Sequence, residues 1–294
     1  MKKFLALMLA LVMVLALCAC GSDTAETAEE VEVVEEVVEE AAEAEAVEEV
    51  EEVEEAAEGR TFIMGIDPEY PPFSYLGDDG EYTGFDVEVC QAACELLGWD
   101  WEVFGVNWDE KLIQLDAGEC DCVWAGMTIL DSMKEAGYVI SEPYYYNTQV
   151  LVVKEDSGIE SSADLEGKYV AVQLGTSGES LLNEDLVELK DTFAELVTCD
   201  SFLKCFTELE GGAVDAVFVD LPVAASYVKD KEGLVVLNED LGAEYYGIAF
   251  RADDQEVCDA IQEAVDELVA NGTYAEIAAD EAYAEIVDNL LFLQ

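Results

Sequence analysis

Histidine is missing from all 294 residues, and basic residues are scarce: 12 Lys and Arg stand against 69 Asp and Glu, a formal net charge of −57. Each shortage excludes a class of activity. Without histidine there is no Ser–His or Cys–His catalytic pair and no imidazole ligand for a metal. Without a surplus of Lys and Arg the chain cannot displace counterions from phosphates, which excludes sequence-independent nucleic-acid binding. The same deficit excludes electrostatic docking on anionic lipid. What is abundant is apolar surface: 52% of residues are hydrophobic. The chain therefore reads as a globular protein with an acidic surface, not as a disordered acidic polymer.

The acids are unevenly placed. Residues 1–20 begin with Lys2 and Lys3 and continue as an uninterrupted apolar run from Phe4 to Leu17. That run is too short to span a bilayer comfortably and suits the core of an export signal. It ends Leu17-Cys18-Ala19-Cys20-Gly21-Ser22, which resembles the cleavage box of bacterial lipoproteins, with Cys20 as the lipid acceptor. An ordinary cleaved signal with incidental cysteines is the alternative. Lipidation at Cys20 would hold the mature protein on the outer face of the cell membrane, extracellular or periplasmic, through the lipid alone. Residues 21–59 then carry 17 Glu, one Asp and no basic residue. Dense like charge opposes a stable helix there, and the segment reads as a spacer, with a coiled-coil dimer as the alternative. From Arg60 onward the count is 51 acids to 10 bases, so the folded part is acidic as well.

Beyond residue 59 short β-rich runs alternate with helical stretches. Strands are expected at Thr61–Ile66, Trp101–Val106, Cys122–Trp124, Gln149–Lys154, Lys168–Gln173, Ala213–Val219 and Gly247–Arg251. Helices are expected at Asp86–Leu97 (capped by Asp86), near Asp109–Leu115, and at Ser177–Leu189, Pro222–Val228 and Gln255–Asn271. That alternation predicts an α/β fold on largely parallel sheets, divided into two lobes at this length. Seven cysteines remain after Cys18 and Cys20: Cys90, Cys94, Cys120, Cys122, Cys199, Cys205 and Cys258. Their spacing matches no zinc ribbon, and buried thiols are expected, with a disulfide as the alternative for an exported protein. No cofactor and no metal are expected.

Ordered motifs carry a resemblance. Asp67-Pro68-Glu69-Tyr70-Pro71-Pro72-Phe73, Gly84-Phe85-Asp86, Ala125-Gly126-Met127-Thr128, Gly175-Thr176-Ser177, Val214-Asp215-Ala216-Val217-Phe218-Val219-Asp220 and Tyr246-Gly247-Ile248-Ala249-Phe250 follow one another along 60–276. The set resembles solute-binding protein family 3, the extracellular amino-acid-binding components of bacterial ABC importers. The resemblance implies a two-lobe periplasmic-binding-protein-like (type II) fold, with lobe one at 60–147 plus 246–294 and lobe two at 148–245. Two crossing strands, near Tyr146–Val150 and Ala243–Gly247, would form the hinge, and a monomer would hand its solute to ABC permease subunits.

The same resemblance nominates ligand-binding residues. Asp220 would pair with the solute's α-ammonium, although it also stands where a helix cap before Leu221-Pro222 would. Tyr70 and Trp108 would box the solute side chain with their rings. Asp67 and Gln173 match pocket-lining positions, with an Asx-turn into Pro68 as the competing role for Asp67. Gly126, Thr128, Thr176 and Ser177 match the carboxylate-binding region, where a helix N-terminus favours an anion; Thr128 and Thr176 could be caps instead.

One position departs from the pattern. The family usually places an Arg five residues after Thr128; here that residue is Met133, while counting back from Ser141 puts Lys134 in its place. Lys134 is expected to neutralise the solute carboxylate as a point charge. The alternative is an amine without an α-carboxylate. The acidic field favours neutral or cationic solutes. A small dehydratase on the same fold, with Asp67 or Asp220 as proton donor, and an acidic envelope protein are the competing functions.

Overall fold

The computed structural model describes residues 59–229, 231–237 and 239–294. The export signal, Cys20 and nearly all of the acidic spacer lie outside them. In chain order the first elements are β1 (Thr61–Ile66), β2 (Glu69–Tyr70), β3 (Ser74–Leu76), β4 (Tyr82–Thr83) and α1 (Phe85–Leu97). They are followed by β5 (Asp100–Gly105), α2 (Lys111–Asp116), β6 (Cys122–Val123), α3 (Asp131–Ala136) and β7 (Val139–Ile140). The long β8 (Tyr145–Lys154) leads to β9 (Tyr169–Gln173), α4 (Ser177–Glu184), α5 (Val187–Lys190) and β10 (Glu195–Cys199). Then come α6 (Phe202–Gly211), β11 (Ala216–Asp220), α7 (Leu221–Val228) and β12 (Leu234–Leu237). The chain returns through β13 (Ala243–Tyr246) and β14 (Ala249–Phe250) to α8 (Gln255–Asn271) and α9 (Thr273–Ala278).

Two sheets organise two lobes. The first runs β5-β1-β6-β14-β7, with β1 parallel to both β5 and β6. β1 is central, so Phe62, Met64 and Ile66 are fully buried, and its sequence TFIMGI is apolar on both faces, as an inner parallel strand requires. The second sheet runs β10-β9-β11-β8-β12, with β9 parallel to β10 and β11, and β8 antiparallel to β11 and β12. β8 extends past the strand expected at Gln149–Lys154 because it serves three partners. Its first half, Tyr145–Thr148, pairs with β13, and its second half, Gln149–Lys154, pairs with β11 and β12.

α1 packs Phe85, Val89, Cys90, Ala93 and Cys94 against the first sheet and stops at Gly98, whose left-handed φ of 69° favours glycine. The expected cap of this helix is corrected: Gly84 occupies the N-cap position, and Asp86 lies inside the first turn, fully buried. The helix expected over Ser177–Leu189 is broken between α4 and α5 at Asp185 and Leu186. All seven cysteines among the described residues are free and buried. No helix among them is long and apolar enough to cross a membrane.

Candidate functional site

The carboxyl ends of β1, β6, β9 and β11 converge, the position where open α/β sheets take ligands. After β1 come Asp67 and Tyr70; after β6 come Gly126 and Thr128; after β9 come Gly175, Thr176 and Ser177; and Asp220 ends β11. Between them is a cavity of about 110 Å³ lined by residues of both lobes, among them Tyr70, Trp108, Thr128, Thr176, Ser177 and Asp220. The rings of Tyr70 and Trp108 are stacked, with centroids 6.5 Å apart and planes 10° from parallel. Gly126 also lines the cavity, with φ of 56°, and a Cβ there would collide with the Tyr70 ring.

Asp220 is 4% exposed. Its Oδ1 accepts hydrogen bonds from Asn147 Nδ2 (2.7 Å), Gln149 Nε2 (2.8 Å) and the Tyr246 hydroxyl (3.0 Å), and Tyr246 shares a 2.6 Å hydrogen bond with the Tyr70 hydroxyl. Asp220 occupies the N-cap position of α7, but its carboxylate makes no capping bond there. Burial, reinforced by nearby Glu244, raises its pKa well above the usual carboxylate range.

Several nominated residues tie the lobes together, and two of them, Asp67 and Gln173, do not line the cavity. Asp67 Oδ2 accepts from Gln173 Nε2 (2.9 Å), and its Oδ1 accepts the Glu69 N–H (2.9 Å) in an Asx-type turn. Both side chains are buried and neither lines the cavity. Burial raises the pKa of Asp67. Thr128 Oγ1 donates to Ser177 Oγ (3.1 Å), a second bond between lobes, while Thr176 caps α4 by accepting the Glu179 N–H (3.2 Å).

The expectation for Lys134 is corrected by geometry. Lys134 is exposed and outside the cavity lining, whereas its neighbour Met133 is 4% exposed and lines it. Successive helical residues point about 100° apart, so one of the two must face away. The cation at the cavity is Lys111, which sequence reasoning missed. Its Nζ donates to the carbonyls of Gly175 (2.7 Å) and Trp108 (3.1 Å) and lies 4.7 Å from the centre of a Trp108 ring. Burial pushes its pKa down to about 8. The i,i+3 spacing of Trp108 and Lys111 on one turn was the available signal.

Behind Gly126 stands Asp86. Its Oδ2 accepts from the Tyr144 hydroxyl (2.6 Å) and the Gly126 N–H (2.8 Å), and burial raises its pKa to about 7. Among the described residues no group of three or more Cys, Asp or Glu is arranged to hold a metal ion.

Residues 62–280 match the family model for bacterial extracellular solute-binding proteins, family 3. The chain belongs to that family. It is 34% identical over 219 residues to the L-cystine-binding protein TcyJ of Escherichia coli (strain K12), covering 74% of this chain and 80% of that one. It is 31% identical to the arginine-binding extracellular protein ArtP of Bacillus subtilis (strain 168), covering 92% and 94%. Among solved structures, an ancestral arginine-binding protein bound to arginine superposes with a TM-score of 0.68 at 35% identity, covering 74% of this chain and 96% of that one. All three are described as binding proteins, which leaves the dehydratase alternative without support from them. A two-lobe solute-binding fold accounts for both the paired sheets and the cavity between them.

Proposed function

We propose that this protein captures an amino-acid-like solute outside the cell membrane and, with its lobes closed, presents it to the permease of an ABC importer. The observation that carries the reading is the placement of Asp220 on the wall of a cavity that Tyr70 and Trp108 also line. Asp220 offers a carboxylate to an ammonium, and the two rings offer apolar faces to a side chain. Hydroxyls at Thr128, Thr176 and Ser177 and the first turn of α4 receive the solute's carboxylate. Met133 stands where the family usually has a guanidinium, so this end of the solute is held by hydroxyls, backbone N–H groups and the nearby charge of Lys111. The relatives named for cystine and arginine support an amino acid as the solute, and the acidic field favours a neutral or cationic one.

In this reading lobe one is 60–147 plus 246–294, lobe two is 148–245, and β8 and β13 cross between them. Lipid at Cys20 and the acidic spacer tether a monomer near its permease. A thermal-shift panel of amino acids, amines and short peptides tests it, because a solute that binds the folded state raises Tm by linkage. At a hundredfold excess over Kd the gain is about 2.7 kcal/mol, a shift of several degrees. A panel in which no amino acid moves Tm overturns the proposal.

A further inference from the structure

A second carboxyl stands beside Asp220. Glu244, on β13, is half-buried, and its Oε1 accepts from the same two amides that bond Asp220: Asn147 Nδ2 at 2.7 Å and Gln149 Nε2 at 3.0 Å. Shared donors hold the two acids side by side. Asn147 and Gln149 are each 1% exposed, yet their own amide oxygens have no partner. All the donors on Asp220, including Tyr246, meet Oδ1, which leaves Oδ2 for a further partner. Among the described residues no Lys or Arg forms an ion pair with either acid.

The groups packed around the pair supply no compensating charge. Tyr246 from β13, Tyr70 from β2 and Tyr145 from β8 face Asp220. Lys111 lines the same cavity, but its Nζ is engaged by the carbonyls of Trp108 and Gly175. A buried carboxyl with a second acid alongside and no ion-pair partner is protonated when the site is empty, and the pKa of Asp220 is raised accordingly.

We propose that Asp220 and Glu244 form a single two-carboxyl subsite that holds one shared proton when empty, and that a solute ammonium expels this proton on binding. The inference rests on the reading of Asp220 as the ammonium partner. The empty pair carries one proton and one negative charge. In the complex the ammonium replaces the proton, both acids are ionised, and the proton passes to the buffer. Glu244 is a positioning residue in this scheme, acting through Asp220. Because Glu244, Asn147 and Gln149 all lie on the strands β8 and β13, the charge change occurs where the two lobes are joined.

Calorimetric titration of the full-length protein with L-arginine, L-glutamine and L-cystine, in phosphate and in MOPS at pH 7, reads proton release from the dependence of heat on buffer. Close to one proton per bound solute is expected, with affinity falling by up to about tenfold per pH unit on acidification. In Glu244→Gln the neighbouring acid no longer reinforces the proton on Asp220, so release should fall below the wild-type value and the pH dependence should move to lower pH, while affinity at pH 7 stays within about tenfold. Asp86 also titrates near neutrality, and Glu244→Gln leaves it in place, so release and pH dependence unchanged from wild type in the variant overturn the proposal. Wild-type binding without release overturns it too, and needs no variant. Failure of every solute to bind overturns the amino-acid reading together with this one; binding without release overturns this one alone.

Discussion

Asp86 has no exposed surface, although it begins a helix at a position where aspartates normally face water. Its Oδ1 has no partner, and Oδ2 holds the Tyr144 hydroxyl and the Gly126 N–H. With its pKa raised by burial to about 7, the folded state binds a proton that the unfolded state releases near pH 4. Its stabilising contribution is therefore full below about pH 4 and lost as pH rises through about 7. Asp86→Asn removes the titration while keeping an acceptor for Gly126. The Tm of the variant minus that of wild type should become more positive between pH 4 and 7, by at least about 2–4 °C, and level off above. A difference constant across that range would sink the assignment. At this scale the sequence was partly legible. Asp220, Tyr70 and Trp108 were identified by motif, and all three line the cavity. Lys111 and Glu244 were not: the one local signal for Lys111 is its i,i+3 spacing from Trp108, and an acid on a crossing strand carries none, so packing brings Glu244 to the site.

Among the elements, the turn from β9 into α4 controls how the lobes meet. Gly175 has φ of 73°, and a Cβ there would lie 2.7 Å from the Cα of Asp109, which belongs to the other lobe. Its carbonyl also receives the Lys111 ammonium. Gly175→Ala combines a backbone conformation that alanine resists with a collision across the closed cleft. Solute affinity should fall about tenfold to a hundredfold, while the Tm of the solute-free protein falls by no more than a few degrees. Equal affinity in calorimetry would show that the lobes need not approach this closely. Strands with strong β-propensity, such as β1 and β9, were legible from composition. The first half of β8 was legible only through the family resemblance, which put a crossing strand near Tyr146–Val150. Its β-propensity alone gave Gln149–Lys154, and the pairing of Tyr145–Thr148 with β13 joins segments nearly a hundred residues apart.

Over the whole molecule the charge imbalance acts as self-repulsion. From Arg60 onward 51 acids face 10 bases, and the ion pairs among the described residues engage only Asp121, Glu208, Glu210, Asp215 and Asp254 of those acids. Repulsion among surface carboxylates is screened by salt, with a Debye length of about 30 Å at 0.01 M falling to about 8 Å at 0.15 M. Raising NaCl across that range should increase Tm by several degrees. A flat or falling Tm would mean that the carboxylates are too widely spread to oppose folding.

The residue order alone determined the family, the alternation of strands and helices, the acidic surface and the exclusion of imidazole chemistry, because these depend on composition and on motifs contiguous in the chain. The tertiary structure decided which charges reach the cavity. A single helical turn puts Met133 at the cavity and Lys134 in water, and a helix of the opposite lobe delivers Lys111 to the Gly175 carbonyl. Two strands that cross between lobes place Glu244 beside Asp220. Electrostatics at a buried site depend on distance and burial, and neither is a property of neighbours in sequence.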